Sequence, residues 1–174
     1  LPLRFVRRDG VGLHLGATAT FGDLVRSDVV RGFAGGALAE AAGRAASTPL
    51  RNLITVGGNL AGLYPWSDLP PVLLVLAARA EIAGPAGPGS AVEELVEHHP
   101  SKRLGHHSLL TGVVVPEPPA SSAAAFLKQG ESAFDYGLVD VAAWVDLDGG
   151  VCRGCRLALR AGGGLPGQHA RDPR

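Results

Sequence analysis

The chain has 174 residues, 46% of them hydrophobic, and its 16 lysines and arginines balance its 16 aspartates and glutamates. This length and apolar content suffice for a buried core in one domain or a domain and a half. Because the net charge is zero, no bulk electrostatic field attracts nucleic acid or an anionic membrane. The sequence contains no signal peptide, bilayer-spanning run or lipidation motif, so we expect a cytoplasmic protein. Since the chain begins with Leu1 and contains no methionine, we expect a fragment, a cleaved product or an incomplete gene model.

The first 20 residues alternate apolar and polar side chains on both sides of an Asp-Gly pair at residues 9–10. This pattern predicts a β-hairpin. Leu13 and Leu15 then share one face of the second strand, and His14 points the other way, toward solvent.

Two helices are predicted after the hairpin. Thr20 and Asp23 have the spacing of a capping box in front of a short apolar series. The alanine-rich residues 35–46 predict a second helix.

Residues 54–58, Ile-Thr-Val-Gly-Gly, are interpreted as a strand that ends in a tight turn. Such a turn can direct unpaired backbone N–H groups toward an anion, and Thr55 and Asn59 add a hydroxyl and an amide. This donor set suits a pyrophosphate. A Gly-Gly pair alone, however, more often marks a structural turn. Arg51 either reaches a phosphate or pins the turn together with Asn52.

Asp68-Leu69-Pro70-Pro71 predicts a helix start, with the aspartate at the cap, prolines in the first turn and an apolar body over residues 72–78. Asp68 could equally accept a hydrogen bond from a sugar hydroxyl, and one residue can serve both roles.

The rest of the chain alternates strands, turns and short helices. We predict strands at 78–84 and 109–116, a turn at 84–89, a helix at 91–97, a linker at 116–122, and a three-strand meander built from 125–131, 136–147 and 151–159.

The histidine pairs at 98–99 and 106–107 and the Cys152-x-x-Cys155 motif do not predict a metal site. Adjacent histidines project in different directions, and no cluster of acids or cysteines completes a ligand set. A redox motif would need a helix after the cysteines. We therefore expect solvated histidines and two reduced thiols.

Residues 49–61 and 67–74 resemble the second FAD-binding segment of the flavoprotein (medium) subunits of molybdenum hydroxylases, the xanthine dehydrogenase and aerobic carbon monoxide dehydrogenase family with a PCMH-type FAD-binding domain. The family pattern is R-N-x-A-T-I-G-G-N-L-A followed by D-L-P-P, and this chain has R-N-L-I-T-V-G-G-N-L-A and D-L-P-P. Residues 126–139 resemble the opening of the family's C-terminal domain. Relatives carry an earlier A-G-G-T-type loop that is absent here, and Leu-Gly-Gly where this chain has residues 159–161, Leu-Arg-Ala.

The resemblance implies an α+β fold, truncated at both ends. Residues 1–118 would form the PCMH-type FAD-binding subdomain, a mixed sheet with flanking helices, without its first βαβ segment. Residues 119–166 would begin the antiparallel sheet of a carbon monoxide dehydrogenase flavoprotein C-terminal-like domain, and residues 167–174 would be a polar tail.

The resemblance also implies FAD as the cofactor and assigns its contacts. The segment Thr55, Val56, Gly57, Gly58 and Asn59 would hold the pyrophosphate, Asp68 would contact the ribitol or ribose, and Leu110 and Lys128 would address the flavin ring. From the residues alone, Leu110 suits core packing equally well and Lys128 would be an exposed strand lysine. No residue of the chain is expected to be catalytic.

In the implied function, an iron–sulfur partner receives electrons from a molybdopterin-binding subunit and transfers them to FAD. FAD then passes them to NAD or another acceptor. The alternative is a truncated interaction module that no longer binds flavin. Apolar surface left uncovered would then drive association.

Overall fold

A computed structural model describes residues 2–85, 87, 89–132, 135–161 and 167–171. Parts of two predicted segments, the turn at 84–89 and the family-like stretch at 126–139, lie outside the described residues. The first sheet has five strands in the order β1-β2-β5-β3-β4. They are β1 (Val6–Arg8), β2 (Gly12–Gly16), β3 (Arg79–Ala83), β4 (Gly89–Ala91) and β5 (Leu109–Pro116). Every described pairing in it is antiparallel, whereas a mixed sheet was expected.

The second sheet is an antiparallel meander in sequence order. Its strands are β6 (Ser122–Gln129), β7 (Val139–Asp148), β8 (Val151–Ala161) and β9 (Gly167–Arg171). The three-strand meander is confirmed. The fourth strand pairs with β8 in a stretch that the sequence suggested was a polar tail.

Short helices connect the strands and complete an α+β fold. They are α1 (Phe21–Arg26), α2 (Asp28–Arg31), α3 (Ala37–Arg44), α4 (Thr48–Arg51), α5 (Val56–Gly62), α6 (Leu69–Val75), α7 (Val92–His98) and α8 (Pro100–Leu104). The capping box of α1 is confirmed, since the Asp23 amide donates to Thr20 Oγ1 at 3.1 Å and the Thr20 amide donates to Asp23 Oδ2 at 3.0 Å. No helix within the described ranges combines the length and apolar character that a bilayer crossing requires.

The interpretation of residues 54–58 as a strand and tight turn is wrong. Thr55 makes only an isolated bridge to Thr20 and then caps α5, whose first turn contains both glycines. A Cβ at Gly57 would lie 2.7 Å from Ala17 Cβ and 2.8 Å from Ala17 O. The glycine therefore lets the helix approach the chain just after β2, which explains the residue without a ligand.

His14 was expected in solvent, and this is also wrong. It is 8% exposed, and its Nε2 lies 3.0 Å from Asp9 Oδ2. Its cross-strand neighbours are Arg7 on β1 and Val114 on β5, and all five residues of β2 are buried.

Helix α6 joins the two halves of the fold. All seven of its residues are buried, as expected for a helix that is apolar on every side. It packs against α3, α5 and α7 and against β6, β7 and β8. The buried side chains of both sheets consequently form one cluster, running from Leu13 on β2 to Trp144 on β7.

Candidate functional site

A cleft of about 740 Å³ opens between the α4–α5 region, the loop before α6 and strand β6. This volume lies within the range of small-molecule and cofactor sites, about 300–1,000 Å³. We call its buried and half-buried polar lining the floor: Thr55, Asn59, Ser67, Asp68 and Lys128. We call its exposed apolar lining the rim: Leu50, Leu53, Tyr64, Trp66 and Tyr136. The cleft thus joins a polar surface to an apolar one.

The predicted phosphate loop contributes the N-terminal turn of α5, but its backbone amides are not free. Each is bonded within the fold: Val56 N–H donates to Ala19 O (2.9 Å), Gly57 N–H to Ala17 O (2.8 Å), Gly58 N–H to Thr55 Oγ1 (3.1 Å) and Asn59 N–H to Thr55 O (2.9 Å). The expectation of unpaired amides aimed at an anion is therefore wrong. The helix cap and the neighbouring chain at 17–19 satisfy these donors, as buried backbone groups require.

Two side chains of this turn keep hydrogen-bonding capacity on the cleft side. Thr55 Oγ1 accepts from Gly58, which leaves the hydroxyl proton available to a ligand. Asn59 Nδ2 donates to Ser67 Oγ at 3.1 Å, whereas Asn59 Oδ1 is buried without a partner. Val56 and Gly57 are buried behind this wall and do not line the cleft.

On the opposite side of the cleft, Lys128 belongs to the lining and is the first of a row of charges on the second sheet. The strand register places Lys128 on β6 opposite Asp140 on β7, and Asp140 opposite Arg160 on β8. Because side chains alternate along a strand, these three share one face. That face is the one on which α6 packs, so the row meets Asp68 at the start of this helix.

Asp68 is held between two cations. Lys128 Nζ lies 2.9 Å from its Oδ2 and Arg160 Nη2 lies 3.4 Å from its Oδ1. Arg160 also forms an ion pair with Asp140. The Asp68, Lys128, Asp140 and Arg160 side chains are all at most 6% exposed. The network balances two positive and two negative charges, which burial demands.

Burial shifts the ionisation of this network. It raises the pKa of Asp68, which hydrogen bonding from Lys128 and the charges of Lys128 and Arg160 oppose. It likewise lowers the pKa of Arg160, against the charge of Asp68. The Asp68 carboxylate makes no capping bond to α6, so the cap role is not realised.

The structure brings five of the eight predicted residues to the cleft: Thr55, Gly58, Asn59, Asp68 and Lys128. Lys128 is not the exposed lysine that its strand position suggests, since its ammonium donates to Asp68 and to Arg44 O at 3.2 Å. Two of its three N–H groups are used, and one remains for a ligand. Leu110 is 5% exposed in β5 and does not line the cleft. Its environment matches the core-packing alternative.

The sequence analysis missed the rim, including Tyr64, Trp66 and Tyr136, and the buried charges of Asp140 and Arg160. A signal existed for the two charges, because they occupy the same strand faces as the buried Ala142 and Ala158. A charged side chain among the inward-facing apolar residues of a strand needs an oppositely charged or hydrogen-bonding partner. Arg51 proves to pin its turn, with Nη1 donating to Ala46 O at 2.7 Å.

The histidines at 98–99 and 106–107 are exposed, and both cysteines are free thiols. Within the part of the chain that the structure describes, no three metal-ligating side chains come together.

Comparisons with known proteins show what the chain is similar to. Residues 1–118 match the family described as "FAD binding domain in molybdopterin dehydrogenase". The carbon monoxide dehydrogenase medium chain of Afipia carboxidovorans is 27% identical over 155 residues, covering 88% of this chain and 54% of that protein. The 6-hydroxypseudooxynicotine dehydrogenase complex subunit alpha of Paenarthrobacter nicotinovorans is 34% identical, covering 72% and 43%. The chain thus spans about half the length of these relatives.

Solved structures share the fold. A carbon monoxide dehydrogenase from Hydrogenophaga pseudoflava that lacks the Mo-pyranopterin moiety superposes with a TM-score of 0.82 at 25% identity, covering 95% of this chain and 58% of that one. Quinoline 2-oxidoreductase from Pseudomonas putida 86 gives 0.79 at 24% identity, with 95% and 57% covered.

Proposed function

Because this chain belongs to the family of FAD-binding domains of molybdopterin dehydrogenases, we propose that it is the flavin-binding, electron-transferring part of a molybdenum hydroxylase-type oxidoreductase. One observation carries the proposal. The fold brings Thr55 and Asn59 from α5 together with Lys128 from β6 around a single cofactor-sized cleft. The polar floor suits the hydroxyls and phosphates of a dinucleotide, and the apolar rim suits a ring.

The floor has unused hydrogen-bonding groups that fit FAD. Asn59 Oδ1 is a buried acceptor without a partner, and such an atom is costly unless a ligand or water donates to it. The ribityl chain of FAD carries hydroxyl donors. The Thr55 hydroxyl and the third N–H of Lys128 can donate to its oxygens. FAD therefore fits through side chains rather than through a bare backbone loop.

The predicted contacts keep distinct roles in this proposal. Thr55 and Asn59 bind the pyrophosphate and ribityl region directly through their side chains. Gly58, whose amide donates to Thr55, lines the cleft beside them. Val56 and Gly57 hold α5 against the chain at 17–19. Asp68 acts through Lys128, whose ammonium it holds in the floor, while Leu110 supports the sheet behind. Bound FAD supplies the electron transfer, and the chain supplies binding and orientation.

The partners proposed are an iron–sulfur subunit and a molybdopterin-binding subunit, with NAD or another molecule as the final acceptor, in the cytoplasm. The printed names of the relatives, a medium chain and a subunit of a dehydrogenase complex, support a hetero-oligomer.

The test is an equilibrium dialysis of the purified chain against FAD, with visible absorbance of the retained flavin. We expect a yellow protein. Asn59→Ala should weaken binding about tenfold, because one lost hydrogen bond costs about 1.4 kcal/mol. Asn52→Ala is the matched control, since Asn52 lies outside the cleft lining and accepts from Arg26 Nη1 at 3.1 Å. A chain that retains no flavin at any concentration overturns the proposal.

A second candidate, an interaction module without flavin, is favoured by two observations. The α5 amides are all bonded within the fold, and the face of the second sheet away from α6 is apolar. Leu127 is 72% exposed there and Leu159 44%, in one cross-strand row with Val141. Light scattering beside the flavin absorbance separates the candidates: a colourless, associating chain supports this one.

A further inference from the structure

Three aromatic rings lie in contact at the rim of the cleft. Tyr64 and Trp66 lie nearly parallel, with ring centroids 5.3 Å apart and 14° between their planes. Tyr136, which precedes β7, approaches Trp66 with centroids 5.1 Å apart at 39°. Trp66 therefore contacts aromatic residues from both halves of the chain.

The rings keep apolar surface that the fold does not cover. Tyr64 is 50% exposed, Trp66 43% and Tyr136 66%. Leu50 and Leu53 add further exposed apolar surface along the same cleft, at 51% and 76%. Half-exposed aromatic and aliphatic side chains around a cavity are typical of a surface that a flat apolar group covers.

The loop that carries Trp66 is fixed from three directions. Arg160 Nη1 donates to Pro65 O at 3.0 Å, Asn59 Nδ2 donates to Ser67 Oγ at 3.1 Å, and the Ser67 amide donates to Tyr64 O at 2.9 Å. The backbone on both sides of Trp66 is thus held by α5 and by the second sheet. A ring presented on such a loop loses little further entropy when a ligand stacks on it.

We propose that Trp66 is the ring-stacking residue of this cleft and that it positions the tricyclic ring of the flavin against the rim. This inference rests on the proposed function and adds a contact to it. The tricyclic ring is the larger of the two ring systems of FAD, and the rim offers five apolar side chains to cover it. The phosphates and hydroxyls then extend toward Asn59 and Thr55 in the floor.

The test combines affinity with flavin fluorescence and uses FMN, whose emission is not quenched by an adenine. Flavin emission is quenched by electron transfer from an indole or a phenol in contact with the ring, and phenylalanine does not quench it. The emission of Trp66→Phe and Trp144→Phe is therefore compared in a chain that also carries Tyr64→Phe and Tyr136→Phe, because both tyrosines line the same cleft. Trp66→Phe should keep the affinity for FMN within about threefold, because stacking is retained. The emission of each bound FMN should rise in this variant. Trp66→Ala should weaken FMN and FAD about tenfold.

Trp144→Phe is the matched control. Trp144 lies outside the cleft lining, is 9% exposed and has Arg156 4.0 Å above its ring. Its replacement should change neither the affinity nor the emission of bound FMN. ADP, tested at the same concentrations, should displace FMN less well than riboflavin does.

The outcomes separate this inference from the proposed function. If FAD is retained, but Trp66→Ala binds it normally and Trp66→Phe leaves the emission of bound FMN unchanged, the inference is overturned and the proposed function stands. Displacement by ADP better than by riboflavin also overturns it, since adenine would then occupy the rim. If wild-type chain binds neither FAD nor FMN, both are overturned.

Discussion

The two walls of the cleft are built by opposite physical means. The wall from α5 is neutral, and its four backbone amides are bonded within the fold. The wall from the second sheet is charged: Lys128 lines the cleft beside Asp68, and Asp140 and Arg160 continue its row behind the lining. The α5 wall contains the residues that match the family pattern, yet the charged wall contains the groups whose burial demands the most compensation.

The difference between the two walls shows that a sequence motif can locate a site in the fold without showing which of its hydrogen-bond donors are free. Gly57 fits a phosphate loop by sequence, but close packing on Ala17 already explains it. Lys128 resembles a solvated strand residue by sequence, but Asp68 and Arg44 hold its ammonium inside the cleft. In both walls, tertiary neighbours decide what each group can offer a ligand.

The largest effect is expected from breaking the charged wall. Arg160→Leu leaves Asp140 buried without its cation and should cost about 3–5 kcal/mol of unfolding free energy, measured by urea denaturation. The double variant Asp140→Leu with Arg160→Leu should recover most of this loss, because it removes the uncompensated charge along with the cation.

Arg153→Leu is the control for this prediction. Arg153 pairs with Asp148 at 2.6 Å, but both side chains are 62% exposed, so its loss should cost less than about 1 kcal/mol. If Arg160→Leu is as mild as Arg153→Leu, the charged row is not a compensated unit.

The stability of the wall from α5 should be sensitive to added side-chain volume. Gly57→Ala forces a Cβ to within 2.7 Å of Ala17 Cβ, and we expect a loss of about 1–3 kcal/mol in unfolding free energy. Gly43→Ala in α3 is the control, because its Cβ would meet only Val25 Cγ2 at 3.8 Å. This change should stabilise the chain by about 0.5–1 kcal/mol. Equal effects at both positions would refute the packing explanation of Gly57.

The smallest effect concerns a carboxylate outside both walls. Arg4 donates to Asp23 at 2.9 and 3.0 Å and holds the pKa of Asp23 well below its ordinary 3.8. A lowered folded-state pKa contributes stability above the unfolded value, and this contribution is lost as the pH falls below 3.8 toward the folded-state pKa. Burial raises the pKa of Asp68. The contribution of that group to stability therefore changes with pH in the opposite direction and falls as the pH rises.

Asp23→Asn should therefore reduce the fall in unfolding free energy at acid pH. The reduction should be less than about 1 kcal/mol, because Arg4 is largely exposed. Urea midpoints measured from about pH 7 down to about pH 3 test this. An unchanged acid slope in Asp23→Asn would show that other carboxylates set it.

The sequence by itself determined most of the local structure and the family. The hairpin around residues 9–10, the capping box of α1, the proline-led start of α6 and the meander β6–β8 depend on short-range patterns, and all are confirmed. The resemblance at residues 49–61 and 67–74 predicted the FAD-binding family, and the family match over residues 1–118 confirms it.

Only the tertiary structure decided which groups of the cleft are available. The amides of Val56 and Gly57 donate to Ala19 O and Ala17 O, which are about 40 positions away in the chain. Asp68 and Arg160, which are 92 positions apart in the chain, form an ion pair. Hydrogen bonding and burial depend on such distant neighbours, and no local pattern records them. The burial of His14 likewise depends on distant neighbours, since Val114 lies beside it only after β5 has paired with β2.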